Sequence, residues 1–184
     1  MITFRGNRRQ LLEEIKRLVR PSEGELRSVQ LVIGVVALSS IKDAYVTKAR
    51  GGTDAMGIKW PPLSPATIAR RRKGPGPLRS IEILRDTGVL LNSLSPGVPN
   101  GASYSKPTDP GGSEQIMEVI GDTVAVGTNV KYAATHNYGD ASRNIPRRQF
   151  LPDDDSQIPE EWKEDWTDAA TVALKSVLEI RLQK

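Results

Sequence analysis

The sequence predicts one domain of mixed helix and strand, and three observations carry that prediction. Apolar residues recur at helical spacing near both ends of the chain, and a Gly-Asp pair joins two alternating segments between them. The hydrophobic content, 38% of 184 residues, is adequate for one core and low for two.

Asn7 is placed to cap a first helix over about residues 8–19, with Leu11, Leu12, Ile15 and Leu18 or Val19 as its apolar stripe; Pro21 ends it. Ser22 and Glu25 then read as a capping box. The long helix that follows runs to about Lys48, because Leu26, Val29, Ile33, Val36, Ala37, Ser40, Ile41 and Ala44 keep the helical period. Its β-branched centre at residues 32–36 would also suit a strand, but cap and period agree over more than five turns.

Gly51-Gly52 breaks the chain, and the loop over 53–62 holds Trp60, read as a large apolar cover for the core. Ser64 and Pro65 supply a cap and a first helical residue for a short helix through about residue 72, before the flexible Gly74-Pro75-Gly76-Pro77. Asp86 or Thr87 is expected to cap another short helix that turns Val89, Leu90 and Leu94 inward. Residues 96–113, rich in Gly, Pro, Ser and Asn, predict a mobile loop that orders on assembly.

Ile116, Glu118 and Ile120 fall on one face of a strand and Met117 and Val119 on the other; Gly121-Asp122 turns the chain into a second strand through Gly127. The segment 145–151 is expected to be extended near Pro146. A last helix over about 159–182 carries a stripe of Trp162, Trp166, Ala169 or Ala170, Ala173, Val177 and Ile180 or Arg181. Such a helix is suited to packing across the sheet or against a neighbour.

The formal charge of +4 is unevenly spread: residues 1–80 hold 16 Lys and Arg against 6 Asp and Glu, whereas residues 81–184 hold 10 against 16. Such polarity suits stacking of a basic surface on an acidic one, or contact between the basic half and nucleic acid. Arg70, Arg71, Arg72 and Lys73 close a helix, and they read equally as a phosphate or acidic-partner contact and as a solvated helix end. No aromatics interleave them, so any DNA contact would be independent of sequence. Arg147 and Arg148 read in the same two ways, as partner contacts or as solvated charges.

Without cysteine there is no thiolate ligand or cysteine nucleophile, and the single histidine, His136, excludes a multi-histidine zinc site. A structural role, in packing or hydrogen bonding, is expected for His136. No P-loop and no Gly-x-Ser-x-Gly elbow occur, so an enzyme is not expected, nor a cofactor. Asp153, Asp154 and Asp155 precede a helix, where carboxylates suit the dipole, and no metal site is expected there. No apolar core follows the first charges, so a signal peptide is not expected. The apolar run over 31–41 is short of the roughly 20 residues that span a bilayer, so no membrane is expected.

Four short signatures add a further reading. They are Trp60-Pro61-Pro62-Leu63-Ser64 with Thr67; Leu84-Arg85-Asp86-Thr87-Gly88-Val89-Leu90; Val126-Gly127-Thr128 leading to Tyr132-Ala133, His136 and Gly139; and Ile145-Pro146-Arg147-Arg148 with Phe150-Leu151. In this order they resemble the phage virion-morphogenesis or tail-completion family, whose members join head and tail in tailed phages, Mu-like ones included. The Gly- and Pro-rich stretches at 74–77 and 96–113 depart from the family pattern.

The resemblance implies an α+β domain, with long N- and C-terminal helices packed on a small antiparallel sheet, that assembles as a ring around the DNA channel. A sixfold ring would match a tail tube. Trp60, Leu63, Ser64, Thr67, Gly88, Leu90, Gly127, Tyr132, His136, Gly139, Pro146 and Phe150 are then structural motif positions. Expected partners are further copies of the chain, neighbouring neck, tail-tube or head-connector proteins, and genomic double-stranded DNA through non-specific contact. The expected location is the virion neck or tail, assembled in the host cytoplasm. The competing reading is a sequence-independent DNA-binding module in residues 1–80.

Overall fold

The computed structural model describes residues 21–73, 81–96 and 115–182. The helix expected over 8–19 and nearly all of the loop expected over 96–113 lie outside them, as does the Gly-Pro stretch at 74–77. Helix α1 (Glu23–Ala49) is the spine. Its start is the capping box read from the sequence: the Ser22 hydroxyl accepts from the Glu25 amide, while the Ser22 amide donates to the Glu25 carboxylate at 2.6 Å. These reciprocal bonds satisfy two backbone or cap donors that a helix start otherwise leaves to water. The β-branched residues at 32–36 stay helical within this spine.

Two layers pack on α1. Strands β1 (Gln115–Ile120) and β2 (Thr123–Thr128) form an antiparallel hairpin with Met117 opposite Val126. The buried Met117 sits against Gly34 of α1; a Cβ at Gly34 would lie 3.0 Å from the Met117 sulfur and 3.1 Å from a Val124 methyl. A side chain at Gly34 would therefore crowd Met117 and Val124 at the helix–hairpin contact, so the absence of a Cβ there permits the close packing. The Gln30 side chain also donates to the carbonyl of Gly121 in the hairpin turn at 2.9 Å.

The final helix, labelled α5 (Glu160–Leu182), lies along α1 and does not use the hairpin as its main partner. Trp162 is buried, and Trp166 donates to the Ser40 hydroxyl at 3.3 Å. At the far end Arg181 faces inward and pairs with Glu25, whereas Ile180 is exposed. The expectation that both long helices pack on the sheet thus holds for α1 alone of the two; α5 packs on α1.

Three short α-helices, α2 (Pro65–Lys73), α3 (Val89–Ser93) and α4 (Ala133–Tyr138), and two single 3-10 turns, Ala141–Arg143 and Asp155–Gln157, complete the described residues. Helix α2 starts as expected, with Ser64 accepting from the Thr67 amide at 3.2 Å. Helix α3 does not: its cap is Gly88, with left-handed backbone at φ 82°, and no side chain caps it. Thr87 instead reaches the Val89 amide at 3.4 Å, and Asp86 turns towards Arg71. Leu90 and Leu94 are buried, as their spacing predicts.

By length and composition α1 is apolar enough to cross a membrane, with a mean hydropathy of 1.5 over an 18-residue window. The run over 31–41 hides this, because it stops at Gln30 and at Lys42-Asp43, whereas an average over 18 residues tolerates a few polar or charged residues. In the fold, this helix contributes Leu38, Ile41, Ala44 and Tyr45 to the buried interior.

Candidate functional site

The core behind the site is a polar hub set among aromatic rings. Tyr45 packs edge-on against Trp60 at 5.0 Å and Phe150 at 5.9 Å between ring centres. Trp60, 2% exposed, donates its indole N–H to the Gln149 carbonyl at 2.7 Å. Lys48 donates to the same carbonyl at 2.8 Å, pairs with Asp54 at 2.5 Å, and lies 5.3 Å from the Trp60 ring centre. Both side chains of the ion pair are fully buried. Burial lowers the Lys48 pKa from its ordinary value, an effect that the Asp54 carboxylate opposes.

The hub fixes the extended segment over 145–151, as does a second clamp from α4. The Asn137 side-chain oxygen accepts from the amides of Phe150 at 2.9 Å and Leu151 at 3.0 Å. The His136 carbonyl accepts from the Arg148 amide at 2.7 Å. Gly139 makes this approach possible: at φ 80° a Cβ would stand 2.9 Å from the Arg147 nitrogen.

In front of this framework lies a groove of about 940 Å³. Its walls come from all four signatures: Leu63, Ser64 and Thr67 from the first, Gly88 and Leu90 from the second, Tyr132 and His136 from the third, Pro146 and Arg148 from the last. Of the other motif positions, Trp60 and Phe150 are buried in the core behind it, Gly139 turns the chain beside it, and Gly127 is buried against Leu151. The order of the signatures along the chain thus becomes proximity in space.

The groove is basic. Arg70, Arg71 and Arg148 line it together with one carboxylate, Asp86. Arg148 is 7% exposed and donates to the carbonyls of Pro61 and Pro62, each at 3.3 Å. Among the described residues no carboxylate lies within ion-pairing distance of it. Burial, and then the nearby Arg71 charge, lower its pKa, yet a guanidinium stays protonated at neutral pH. Arg71, its side chain 9% exposed, donates to the Glu82 carbonyl at 2.7 Å and pairs with Asp86 at 3.5 Å.

The cations singled out from the sequence therefore separate into two sets. Arg70, Arg72 and Lys73 are exposed at the end of α2, while Arg71 and Arg148 face inward. The two-way reading of Arg148, as a partner contact or an ordinarily solvated charge, omitted burial against the prolines. Arg147 is exposed and pairs with Asp153. Asp154 is occupied in capping, accepting from the Ser156 amide at 2.8 Å. Among the described residues no group of three or more His, Asp or Glu is placed to hold a metal ion.

His136 packs edge-on against Tyr132 at 5.9 Å, and its buried Nδ1 has no hydrogen-bond partner. Burial first, then the charges of Arg148 and Arg143, lower its pKa, so the imidazole is neutral at pH 7. Lys48 and Asn137 were missed by sequence reasoning. Lys48 left a signal, a lone charge continuing the stripe of Ile41 and Ala44 by one turn. Asn137 left none, since an Asn before Gly139 is ordinary at a helix end.

No protein-family model matches the chain, and searches of curated proteins and of solved structures find no match.

Proposed function

We propose that this chain is a structural protein of the phage neck, a ring-forming subunit that completes the tail and couples it to the head around the DNA channel. The observation that carries the reading is the convergence of the four signatures on one groove and on the hub that supports it. Residues that resemble one family in sequence order are here parts of one surface feature, and a shared surface feature is what an assembly interface requires. The motif residues act by packing, capping and charge placement, which suits a binding surface better than a reaction.

In this reading the exposed Arg70, Arg72 and Lys73 touch a neighbouring subunit or pass over DNA phosphates without reading bases. A channel must let DNA slide, so tight duplex binding would hinder it. The test is to tag the chain, image virions, and examine the purified protein by mass photometry and electron microscopy. Tag density at the head–tail junction and closed rings, six-membered if they match the tail tube, are the expected results. A protein absent from virions that stays monomeric and binds random duplexes tightly at physiological salt would refute the reading in favour of a DNA-binding module.

A further inference from the structure

We infer that the groove is a docking site for an extended, acidic and apolar peptide segment of another protein, whose carboxylate seats on Arg148. Arg148 is buried, its described partners are two neutral carbonyls and none is an anion, and Arg71 beside it adds repulsion. A buried cation is costly until an anion joins it, so the free groove is electrostatically incomplete. The one lining carboxylate, Asp86, is 57% exposed and pairs with Arg71, leaving the groove with excess positive charge.

Shape and lining select the class of anion. Leu63, Leu84, Val89, Leu90 and Pro146 give the groove apolar walls, and a volume of about 940 Å³ exceeds what one carboxylate or phosphate fills. Duplex DNA presents its phosphates on a wide rod to protruding side chains, and Arg148 lies recessed at 7% exposure. A peptide strand alternating acidic and apolar side chains meets both the cations and the walls. The unpartnered Nδ1 of His136 adds a polar atom on the same lining. This site does not depend on the neck reading, since any partner with such a segment would fit.

The single histidine makes the test direct, because its imidazole signals need no assignment. The full chain is titrated at pH 7 with the peptide acetyl-Glu-Leu-Asp-Leu-Glu-Leu-amide while the His136 ring and arginine side-chain resonances are followed by NMR. Separate titrations use its Gln/Asn counterpart, sodium phosphate and a mixed-sequence duplex. Saturable shifts of His136 with the acidic peptide alone, and an upward move of the imidazole pKa in the complex as the carboxylate offsets the Arg148 and Arg143 charges, are expected.

Arg148→Gln should weaken peptide binding about tenfold or more, the factor set by loss of a charge-assisted hydrogen bond. If that variant does not fold, Arg70→Gln, at the exposed rim, is expected to weaken binding by a smaller factor. Shifts produced by phosphate or duplex but not by the peptide, by both peptides equally, by simple concentration of the protein, or by nothing at all, would each overturn the assignment.

Discussion

Lys48→Met is the substitution that probes the support of the groove most directly. It removes the cation from a pair whose side chains are both fully buried, and Met fills much of the same space. The loss is dominated by Asp54, left as a buried carboxylate without its counter-charge, which costs about 3–5 kcal/mol. The Gln149 carbonyl is not orphaned, because the Trp60 indole still donates to it at 2.7 Å. Adding Asp54→Asn removes the stranded charge while keeping an oxygen for the Ile58 amide, which bonds Asp54 Oδ1 at 2.9 Å.

The double variant should therefore recover most of the loss, with a coupling energy above about 1 kcal/mol. Trp60→Phe, which keeps an aromatic ring but loses the N–H and part of the buried bicycle, should cost about 2–3 kcal/mol, mostly from the cavity, since Lys48 still serves the carbonyl. Urea unfolding of wild type, the single variants Lys48→Met, Asp54→Asn and Trp60→Phe, and the double variant, followed by far-UV circular dichroism at pH 7, measures all of these. A Lys48→Met cost below about 1 kcal/mol, or a double variant no more stable than Lys48→Met, would refute the view that this pair is locked in a dry interior.

Gly139→Ala should destabilise by about 1–3 kcal/mol in the same assay, because the backbone there is left-handed and the new methyl meets the Arg147 nitrogen. Arg70→Ser, Arg72→Ser and Lys73→Ser together should stay within about 0.5 kcal/mol of wild type, whereas Arg71→Ser alone should cost about 1–3 kcal/mol, since Arg71 holds the Glu82 carbonyl. Arg181 and Ser22 hold the Glu25 carboxyl down at about 2, below its ordinary 4.5. Its contribution is thus full above about pH 4.5 and lost as pH falls towards 2, so the thermal midpoints of wild type and Glu25→Gln should converge across that window. Plasmid DNA incubated with the protein and magnesium should remain intact; cleavage abolished by changing Asp153, Asp154 and Asp155 to Asn would restore a nuclease.

Much of the fold was legible because local rules and global packing agree. The capping box at Ser22 and Glu25, the helical period of α1, the Gly-Asp hairpin turn and the start of α2 at Ser64-Pro65 each follow from adjacent residues. The start of α3 was misread because the cap falls on Gly88, whose left-handed backbone places the helix start after both Asp86 and Thr87. The placement of α5 along α1, where the resemblance implied packing on the sheet, was not legible, since one apolar stripe fits a sheet or a helix equally well. The site was legible as a set of motifs and illegible as a groove. Nothing adjacent in sequence says that Arg148 turns inward while Arg147 stays exposed; the Asn137 clamp and the His136 carbonyl decide that from α4.

Among the described residues, charges from the basic and acidic halves of the sequence meet in two places. Arg181, from the acidic half, pairs with Glu25 of the basic half, and Arg148, from the acidic half, joins Arg70 and Arg71 in the groove. If the groove docks a partner as proposed, the local concentration of cations around one carboxylate is a better guide to its electrostatics than the formal charge of +4. Rim and floor should then respond differently to salt. Partners held by the exposed Arg70, Arg72 and Lys73 should weaken steeply as salt rises, because those charges are screened, whereas an anion seated on the recessed Arg148 should be affected less. Assembly or peptide binding measured across a salt series, in wild type and in the Arg70, Arg72 and Lys73 triple variant, separates the two. A triple variant that keeps the full salt slope of wild type would place the screened charges elsewhere and remove the rim from the interface.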